Sequence, residues 1–274
     1  MKKFSIISMV SILLAVSGIG ISFSHAQPEA QSKTDSRAAM LAQISALQQV
    51  PDRAGSLVYE GTVFGLNRTG TEPLFKYERR VARTASGHAA SHMTSDPSGA
   101  VIIVESAEAS SDYALQRFDA VNLQTGQAGS VTVSNNGRRL DYHLDDNGRV
   151  STASEDISVP AVSGPQLFGF ILKNWDVLKA GNKVPVRMIV LKDLTTYGFD
   201  IRFEKQDLGT TMFSVTPSSF FVRMAISPMH LTFDTQRKSV LHYEGRVPPM
   251  EMIADKLKDL DARVEYKSNE FAYR

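Results

Sequence analysis

The chain has 274 residues, no cysteine, and 30 lysine and arginine against 29 aspartate and glutamate side chains, for a formal net charge of +1. The absence of cysteine excludes a disulfide framework, thiol catalysis and acylation at a lipoprotein cysteine. The balanced charge gives no electrostatic reason to expect nucleic acid or an anionic membrane surface as a partner.

The first 26 residues have the pattern of a secretory signal peptide. Lys2 and Lys3 precede an apolar run that extends to about Phe23, and small residues stand directly before Gln27. An uncleaved membrane anchor is the alternative, but serines and glycines interrupt the run and favour cleavage. We therefore predict a signal peptide at 1–26 and a mature chain of 27–274. Its predicted location is the periplasm of a Gram-negative-type envelope, with secretion as the alternative.

The mature chain is predicted to be a single β-rich domain that begins with a helix. This helix is expected over about 36–49, where Met40, Ile44 and Leu47 fall on one face. Pro51 cannot continue the helix, so it marks the end of the pattern. A short helix with one apolar face is expected to pack on a sheet.

A period of two begins at Ser56 and returns in short runs separated by turn-rich sequence. Asn136-Gly137 and Asn147-Gly148 are signals for tight hairpins. Spacings of about ten residues predict an antiparallel meander of roughly eleven to thirteen strands. One or two helical turns are expected over 250–257. The fourteen runs that are candidates for these strands are 56–64, 73–84, 100–107, 113–122, 130–134, 139–144, 150–154, 184–191, 196–206, 211–215, 220–226, 230–234, 239–247 and 261–267.

A second, longer helix is predicted over about 165–179. Pro165 suits the first turn of a helix, and Gly181 is placed to end it. About half of the surface of this helix is apolar, which predicts that the helix packs against the sheet. The apolar stripe consists of Leu167, Phe168, Ile171, Leu172, Trp175 and Leu178.

Two segments near the ends of the mature chain repeat the pattern Leu-x-Tyr-Glu-Gly-x-Val, at 57–63 and at 241–247. Gly61 and Gly245 share a face with the leucine, tyrosine and valine of each copy. A glycine inside a strand marks a bulge, a bend or the close approach of another group. The repeat therefore predicts a strongly coiled sheet that wraps a helix.

The second copy of this pattern resembles a strand of periplasmic lipoprotein carriers of the Lol type. Leu241 to Val247 carry the match, 57–63 match more weakly, and the rest of the chain is similar only in its order of elements. The resemblance implies a mainly β (α+β) fold, with a strongly curved antiparallel sheet or incomplete barrel that wraps one or two helices. It also implies a role in carrying a lipoprotein or a lipid-like ligand.

Motifs of enzymes and metal sites are absent from the sequence. There is no Gly-x-Ser-x-Gly elbow, phosphate loop or dinucleotide fingerprint. His88 and His92 stand four residues apart in a strand-or-loop segment, but no zinc motif surrounds them. We therefore predict no catalytic residue, no metal and no cofactor. An uncharacterised hydrolase is the third alternative for the function.

Phenylalanine and methionine are concentrated in the last third of the chain, and methionine adapts to irregular apolar partners. These residues can form an ordinary core or line a site for an apolar ligand. We predict a cell-envelope protein that binds or carries a hydrophobic ligand or a lipoprotein, with only transient membrane contact. A structural or interaction module without a ligand is the alternative. The candidate ligand-binding residues are Leu167, Phe168, Ile171, Leu172, Trp175, Phe213, Phe220, Phe221 and Met224.

Overall fold

The computed structural model describes residues 37–47, 56–66 and 72–268. The predicted signal peptide lies outside these residues. The described part is mainly β, as the sequence predicts, with 15 strands, four α-helices and a single 3-10 turn. The strand number exceeds the eleven to thirteen expected, in part because the segment around His88 and His92 is a strand of its own.

The helices are α1 (37–47), α2 (Gly164–Lys173), α3 (Trp175–Lys179) and α4 (Phe220–Arg223), and the 3-10 turn spans Leu191–Asp193. The strands are β1 Ser56–Gly65, β2 Phe75–Thr84, β3 Gly87–Ser95, β4 Val101–Ser110, β5 Leu115–Asn122, β6 Gln127–Ser134, β7 Arg139–Asp146, β8 Arg149–Asp156, β9 Ala161–Val162, β10 Val184–Val190, β11 Thr195–Asp207, β12 Thr210–Pro217, β13 Met229–Asp234, β14 Val240–Ile253 and β15 Lys256–Ser268.

All strands belong to one sheet in the order β8-β7-β6-β5-β4-β3-β2-β1-β15-β14-β13-β12-β11-β10-β9. Neighbours are antiparallel except β9 and β10, which are parallel. The first and last strands, β1 and β15, pair in the middle of the sheet, where Val63 lies opposite Val264. The sheet is not closed, and β8 and β9 form its edges.

Side chains nevertheless join the two ends of the sheet. The carboxylate of Glu155 on β8 accepts a hydrogen bond from Arg187 Nη2 on β10 at 2.7 Å and from the backbone N–H of Thr196 on β11 at 2.9 Å. Apolar residues of β4 to β7 also pack against Ile189 and Leu191 from the other end of the sheet. Residues from the two ends of the sheet therefore pack together in one hydrophobic cluster.

The helix α2 lies in a second core cluster, formed with other strands of the sheet. Phe168 lies edge-on to Tyr59 of β1, Phe233 of β13 and Tyr266 of β15, with ring centroids 6.2, 6.3 and 5.8 Å apart. Ile171 is fully buried in the same cluster. The sheet has two halves, β1 to β8 and β9 to β15, which join where β1 pairs with β15. Because α2 contacts β1 as well as β13 and β15, it packs against both halves.

The helix α1 covers the opposite face of the sheet. Met40 and Ile44 are buried against Val104, Val121 and Ala128 of β4 to β6. The apolar stripe predicted for this helix is confirmed. Strands β3 and β4 are thus covered on both faces, which explains why they contain few exposed residues.

The single helix predicted over about 165–179 is found as two helices, α2 and α3, that meet at Asn174. The Asn174 side-chain amide donates a hydrogen bond to Phe170 O at 2.8 Å, and its backbone N–H lies 3.2 Å from the same oxygen. An asparagine that bonds the preceding turn in this way competes with the regular helical ladder. The side-chain bond thus shares a carbonyl with the regular ladder at the residue that separates the two helices.

The prediction of a strand over 220–226 is wrong, because α4 occupies its first four residues. This segment turns the chain between β12 and β13, and the Arg223 side chain donates a hydrogen bond to Pro217 O at 2.7 Å. The run Phe220-Phe221-Val222 is apolar throughout and lacks the alternation of a half-buried strand. Three consecutive apolar residues fit a buried strand as well as a short helix, which is why a strand was predicted here.

The helical turns predicted over 250–257 are also wrong. β14 continues to Ile253, and a register shift between Val247 and Met250 accommodates two prolines. Ala254 and Asp255 then adopt left-handed conformations, with φ of 48° and 60°. Two successive residues with positive φ form the tight turn that joins twisted antiparallel strands, so the chain enters β15 directly. The hairpin turns expected at Asn136-Gly137 and Asn147-Gly148 are confirmed.

The two repeated glycines lie at close approaches within the sheet. Gly61 is opposite Tyr266, and Gly245 is opposite Ala262. A methyl group on Gly245 would lie 2.8 Å from Met229 Cγ and 3.1 Å from Met229 Cα. The φ of Gly245 is also +143°, a value that side chains disfavour. The register shifts lie at other positions, so close packing rather than a bulge explains both glycines.

Gly245→Ala is expected to lower the free energy of unfolding by about 1–3 kcal/mol, because it combines an unfavourable φ with a clash. Gly61→Ala is the matched control, since Gly61 lacks a positive φ and its added methyl meets side chains alone, at 3.0 Å or more. Urea unfolding of both variants measures the difference. A loss at Gly61 that exceeds the loss at Gly245 would contradict the role of backbone conformation.

Candidate ligand-binding cavity

A cavity of about 610 Å³ lies between α2 and strands from both halves of the sheet. This volume falls within the range of about 300–1,000 Å³ that is typical of ligand sites. Leu167 and Phe168 of α2 form part of its wall. Apolar side chains dominate the rest of the lining, including Val63, Met188, Ile189, Val190, Phe199, Val222, Ile226, Met229, Val247, Met250 and Val264.

The cavity reaches the surface beside the connection between β12 and β13. Phe221 lines the cavity yet is 77% exposed, and Ala225 and Pro248 in the lining are exposed as well. Phe220 and Met224 on the same connection are 69% and 67% exposed but are not among the lining residues. The mouth of the cavity therefore lies next to an exposed apolar segment.

Hydrogen bonds also fix the part of the cavity wall around Met250. The Gln124 side chain donates to Met250 O at 3.0 Å and accepts from Met250 N–H at 2.9 Å. These two bonds join the turn after β5 to β14, which lie in different halves of the sheet. The spacing between the halves is thus held by backbone contacts as well as by the packing of α2.

The cations of the lining are paired with carboxylates. Arg246 donates to Asp261 Oδ1 and to Asp259 Oδ2, both at 2.7 Å, and Lys192 Nζ lies 3.6 Å from Asp259 Oδ1. These groups are partly exposed, so their charges are balanced locally and screened by water. Lys192, Arg246 and Asp259 thus form a charged part of the cavity lining.

Three ionisable side chains form a row across neighbouring strands. Arg79 on β2 pairs with His92 on β3, which pairs with Glu105 on β4. Arg79 and His92 are only 3% and 4% exposed. His92 and Glu105 line the cavity together with Tyr77, two residues before Arg79 on the same face. A buried row of this kind within an apolar core is unusual.

The members of this row have unequal sets of partners. Arg79 Nη2 donates to Pro165 O at 2.9 Å, and its guanidinium lies 5.4 Å from the Phe168 ring centroid. The Tyr77 hydroxyl is hydrogen-bonded to His92 Nδ1. Glu105 Oε2 is 4.0 Å from the same nitrogen, beyond hydrogen-bonding distance. Among the described residues, no hydrogen bond to the Glu105 carboxyl is formed.

Burial sets the protonation of this row. Burial, with a smaller effect of the Arg79 charge, holds the pKa of His92 well below its usual value, so the imidazole is neutral near pH 7. Burial alone raises the pKa of Glu105 to about 7. Burial is also the main reason that the pKa of Tyr77 is raised, so its phenol stays protonated. Glu105 is therefore the group in this row that gains or loses a proton near neutral pH.

The nine predicted ligand-binding residues separate into three groups in the structure. Leu167, Phe168 and Phe221 line the cavity. Ile171, Trp175 and Phe213 are buried in the core, with Leu172 packed beside them, and none of the four is among the lining residues. Phe220 and Met224 are exposed next to the mouth.

The residues predicted from the sequence do not include Tyr77, His92, Glu105, Tyr243 and Tyr266, which belong to the polar part of the lining. A signal for Glu105 was present, because Ile103, Glu105 and Ala107 alternate on one face of β4. A carboxyl group on an otherwise apolar face stands out. In the sequence, His92 stands out only through its spacing of four residues from His88. In the structure the His88 ring instead stacks on the Tyr113 ring, with centroids 4.5 Å apart.

Within the described ranges, no group of three or more histidine, aspartate and glutamate side chains is arranged to hold a metal ion. No helix in those ranges is long and apolar enough to cross a membrane. Comparison with models of protein families and with curated proteins gave no match. The functional argument therefore rests on the geometry of the cavity.

Proposed function

We propose that this protein binds a hydrophobic, lipid-like ligand in the cavity beside α2 and carries it within the cell envelope. The observation that carries the proposal is a cavity of about 610 Å³ with a mainly apolar wall and an opening to the surface. A cavity lined by apolar groups is an unfavourable place for water, so an apolar ligand gains free energy by entering it.

The same proposal includes the curved form of the sheet. The edge strands share no ladder, yet Glu155 of β8 bonds residues of β10 and β11. α2 packs against strands of both halves. These contacts support an incomplete barrel wrapped around a helix, which is the form expected of a carrier with an internal site.

The location in the envelope rests on the signal-peptide pattern of residues 1–26. The N-terminal residue of the purified mature protein, expected to be Gln27, checks this part of the proposal. Carriage of a lipoprotein rather than a free lipid is a narrower form of the same function. Both need an apolar cavity that opens to solvent.

The proposal is tested with the neutral apolar dye Nile red and two neighbouring phenylalanines. Phe221 lines the cavity and Phe220 does not, although both are exposed. Phe221→Glu removes an aromatic ring from the lining at the cavity mouth and puts a hydrated charge in its place, so dye binding is expected to weaken about tenfold through the lost apolar contact. Phe220→Glu, the matched control, should leave binding nearly unchanged. Dye fluorescence titrations give both affinities, and circular dichroism shows that the variants are folded.

Two results would contradict the proposal. If the folded wild-type protein does not bind Nile red, the cavity takes no apolar ligand, and the exposed segment with Phe220, Phe221 and Met224 favours an interaction module instead. If Phe220→Glu and Phe221→Glu weaken binding equally, the dye binds to the exposed surface and not in the cavity.

A further inference from the structure

The Glu105 carboxyl is positioned to contact a ligand in the cavity. Its side chain is 13% exposed and faces the cavity. His92, the ionisable group beside it, is neutral, and Arg79 lies one strand further away and donates to Pro165 O. An ionised carboxylate in an apolar cavity is unfavourable until a hydrogen-bond donor of opposite charge meets it.

Aromatic rings line the same part of the cavity. Tyr77, Tyr243 and Tyr266 belong to the wall, and the rings of Tyr77 and Tyr266 lie 5.9 Å apart. The charge of Glu105 contributes, after burial and other nearby groups, to raising the pKa values of Tyr77 and Tyr243. The Tyr77 hydroxyl is hydrogen-bonded to His92 Nδ1, the nitrogen that lies 4.0 Å from Glu105 Oε2, so the Tyr77 phenol is next to this carboxyl. Aromatic rings around a carboxylate attract ammonium groups, because the ring faces carry negative charge.

The charge of the wall disfavours an anionic head group. Among the described residues that line the cavity, Lys192 and Arg246 are the only cations, against the carboxylates of Asp193, Asp259 and Glu105. Both cations already pair with Asp259, and Arg246 pairs with Asp261 as well. A carboxylate or phosphate head next to Glu105 would meet a like charge, and neither of these two lining cations is free to balance it.

We infer that the ligand is an amphiphile with an ammonium head, which the Glu105 carboxylate and the surrounding tyrosine rings bind while the apolar tail lies along α2. This inference rests on the proposed function, because it assigns the head-group chemistry of the same cavity. Glu105 supplies the negative charge and accepts hydrogen bonds from the ammonium group. Tyr77, Tyr243 and Tyr266 enclose the head group.

The test compares three probes with the same twelve-carbon tail: dodecylamine, dodecanol and dodecanoate. Each displaces Nile red from the full mature protein at about pH 8, where the Glu105 carboxyl is ionised and the amine is still cationic. Dodecylamine is expected to bind about 10- to 100-fold more tightly than dodecanoate, which is the strength of a hydrogen bond to a charged group.

The variant Glu105→Gln keeps the shape of the side chain and removes its charge. It should lose most of the preference for dodecylamine over dodecanol and leave the affinity for dodecanol nearly unchanged. Glu108→Gln, which removes a carboxylate of the same strand that does not line the cavity, should keep the wild-type preference.

The outcomes separate this inference from the function on which it rests. If all three probes displace the dye but Glu105→Gln leaves the preference unchanged, or if dodecanoate binds as tightly as dodecylamine, the head-group assignment is overturned and the apolar cavity remains a binding site. If neither the dye nor any probe binds, both are overturned. A preference for the amine that disappears in Glu105→Gln and survives in Glu108→Gln supports the assignment.

Discussion

Replacement of Trp175 by alanine is expected to lower the free energy of unfolding by about 3–5 kcal/mol. Trp175 is 6% exposed and lies edge-on to Phe213 and Phe233, with ring centroids 4.9 and 5.6 Å away. The Lys238 ammonium group lies 5.3 Å from the indole ring. Removal of the indole leaves a void among rings that the sheet holds in place, and the loss of these contacts is not recovered by relaxation.

Val177→Ala on the same short helix is the control, because Val177 is 48% exposed and its replacement should change stability by about 0.5 kcal/mol or less. Urea unfolding followed by far-ultraviolet circular dichroism measures both variants, since Trp175 is the sole tryptophan and its fluorescence is lost on replacement. Equal losses for the two variants would show that α3 presents a different face to the sheet.

Glu105 is expected to make the stability depend on pH in the direction opposite to most acidic groups. Burial raises its pKa in the folded state to about 7, above the ordinary value of 4.5 for a glutamate. The folded protein therefore holds the proton more tightly than the unfolded chain does. The contribution of Glu105 is fully present below about pH 4.5 and is lost as the pH rises through about 7. With about 1.4 kcal/mol for each unit of pKa, the loss is about 3 kcal/mol.

His92 contributes with the opposite sign, because its folded-state pKa is lowered, and its contribution is lost as the pH falls below about 6.5. The comparison of wild type with Glu105→Gln isolates the carboxyl. We expect the variant to gain about 3 kcal/mol relative to wild type between about pH 5 and pH 8, as measured by urea unfolding. Glu108→Gln serves as the control. Stability curves for wild type and Glu105→Gln that run parallel over this range would show that Glu105 titrates as an exposed carboxyl.

The β-rich class and most strands could be predicted from the sequence because their signals are local. Alternation with period two identified β1 and β11, and the Asn-Gly pairs identified two hairpin turns. The errors arose where local signals were ambiguous. The apolar run at 220–226 has no alternation that would distinguish a strand from a helix. The prolines before Met250 are typical of a strand end, but β14 continues past them through a register shift.

The candidate site could be predicted only in its apolar part. Leu167 and Phe168 were found because one helix displays them on a single stripe. Arg79, His92 and Glu105 come together because β2, β3 and β4 pair in a particular register, and register depends on contacts across strands. A shift of one residue would place Glu105 on the other face, so its proximity to His92 is not contained in the pattern of either strand alone.

The order of the strands determines when the sheet can be completed during synthesis. β1 and β15 pair at residues about 200 positions apart, whereas every other antiparallel pair joins strands that are consecutive in the chain. Hairpins from β1 onward can form as the chain emerges, but β1 keeps one unpaired edge until the last strand arrives. An unpaired central strand is a site where chains associate with one another. The closing contact is also the slowest to form by chance, since it requires the longest loop. The edge of β1 that pairs with β15 therefore stays open until nearly all of the chain is present, and this pairing carries the largest loop-closure cost in the sheet.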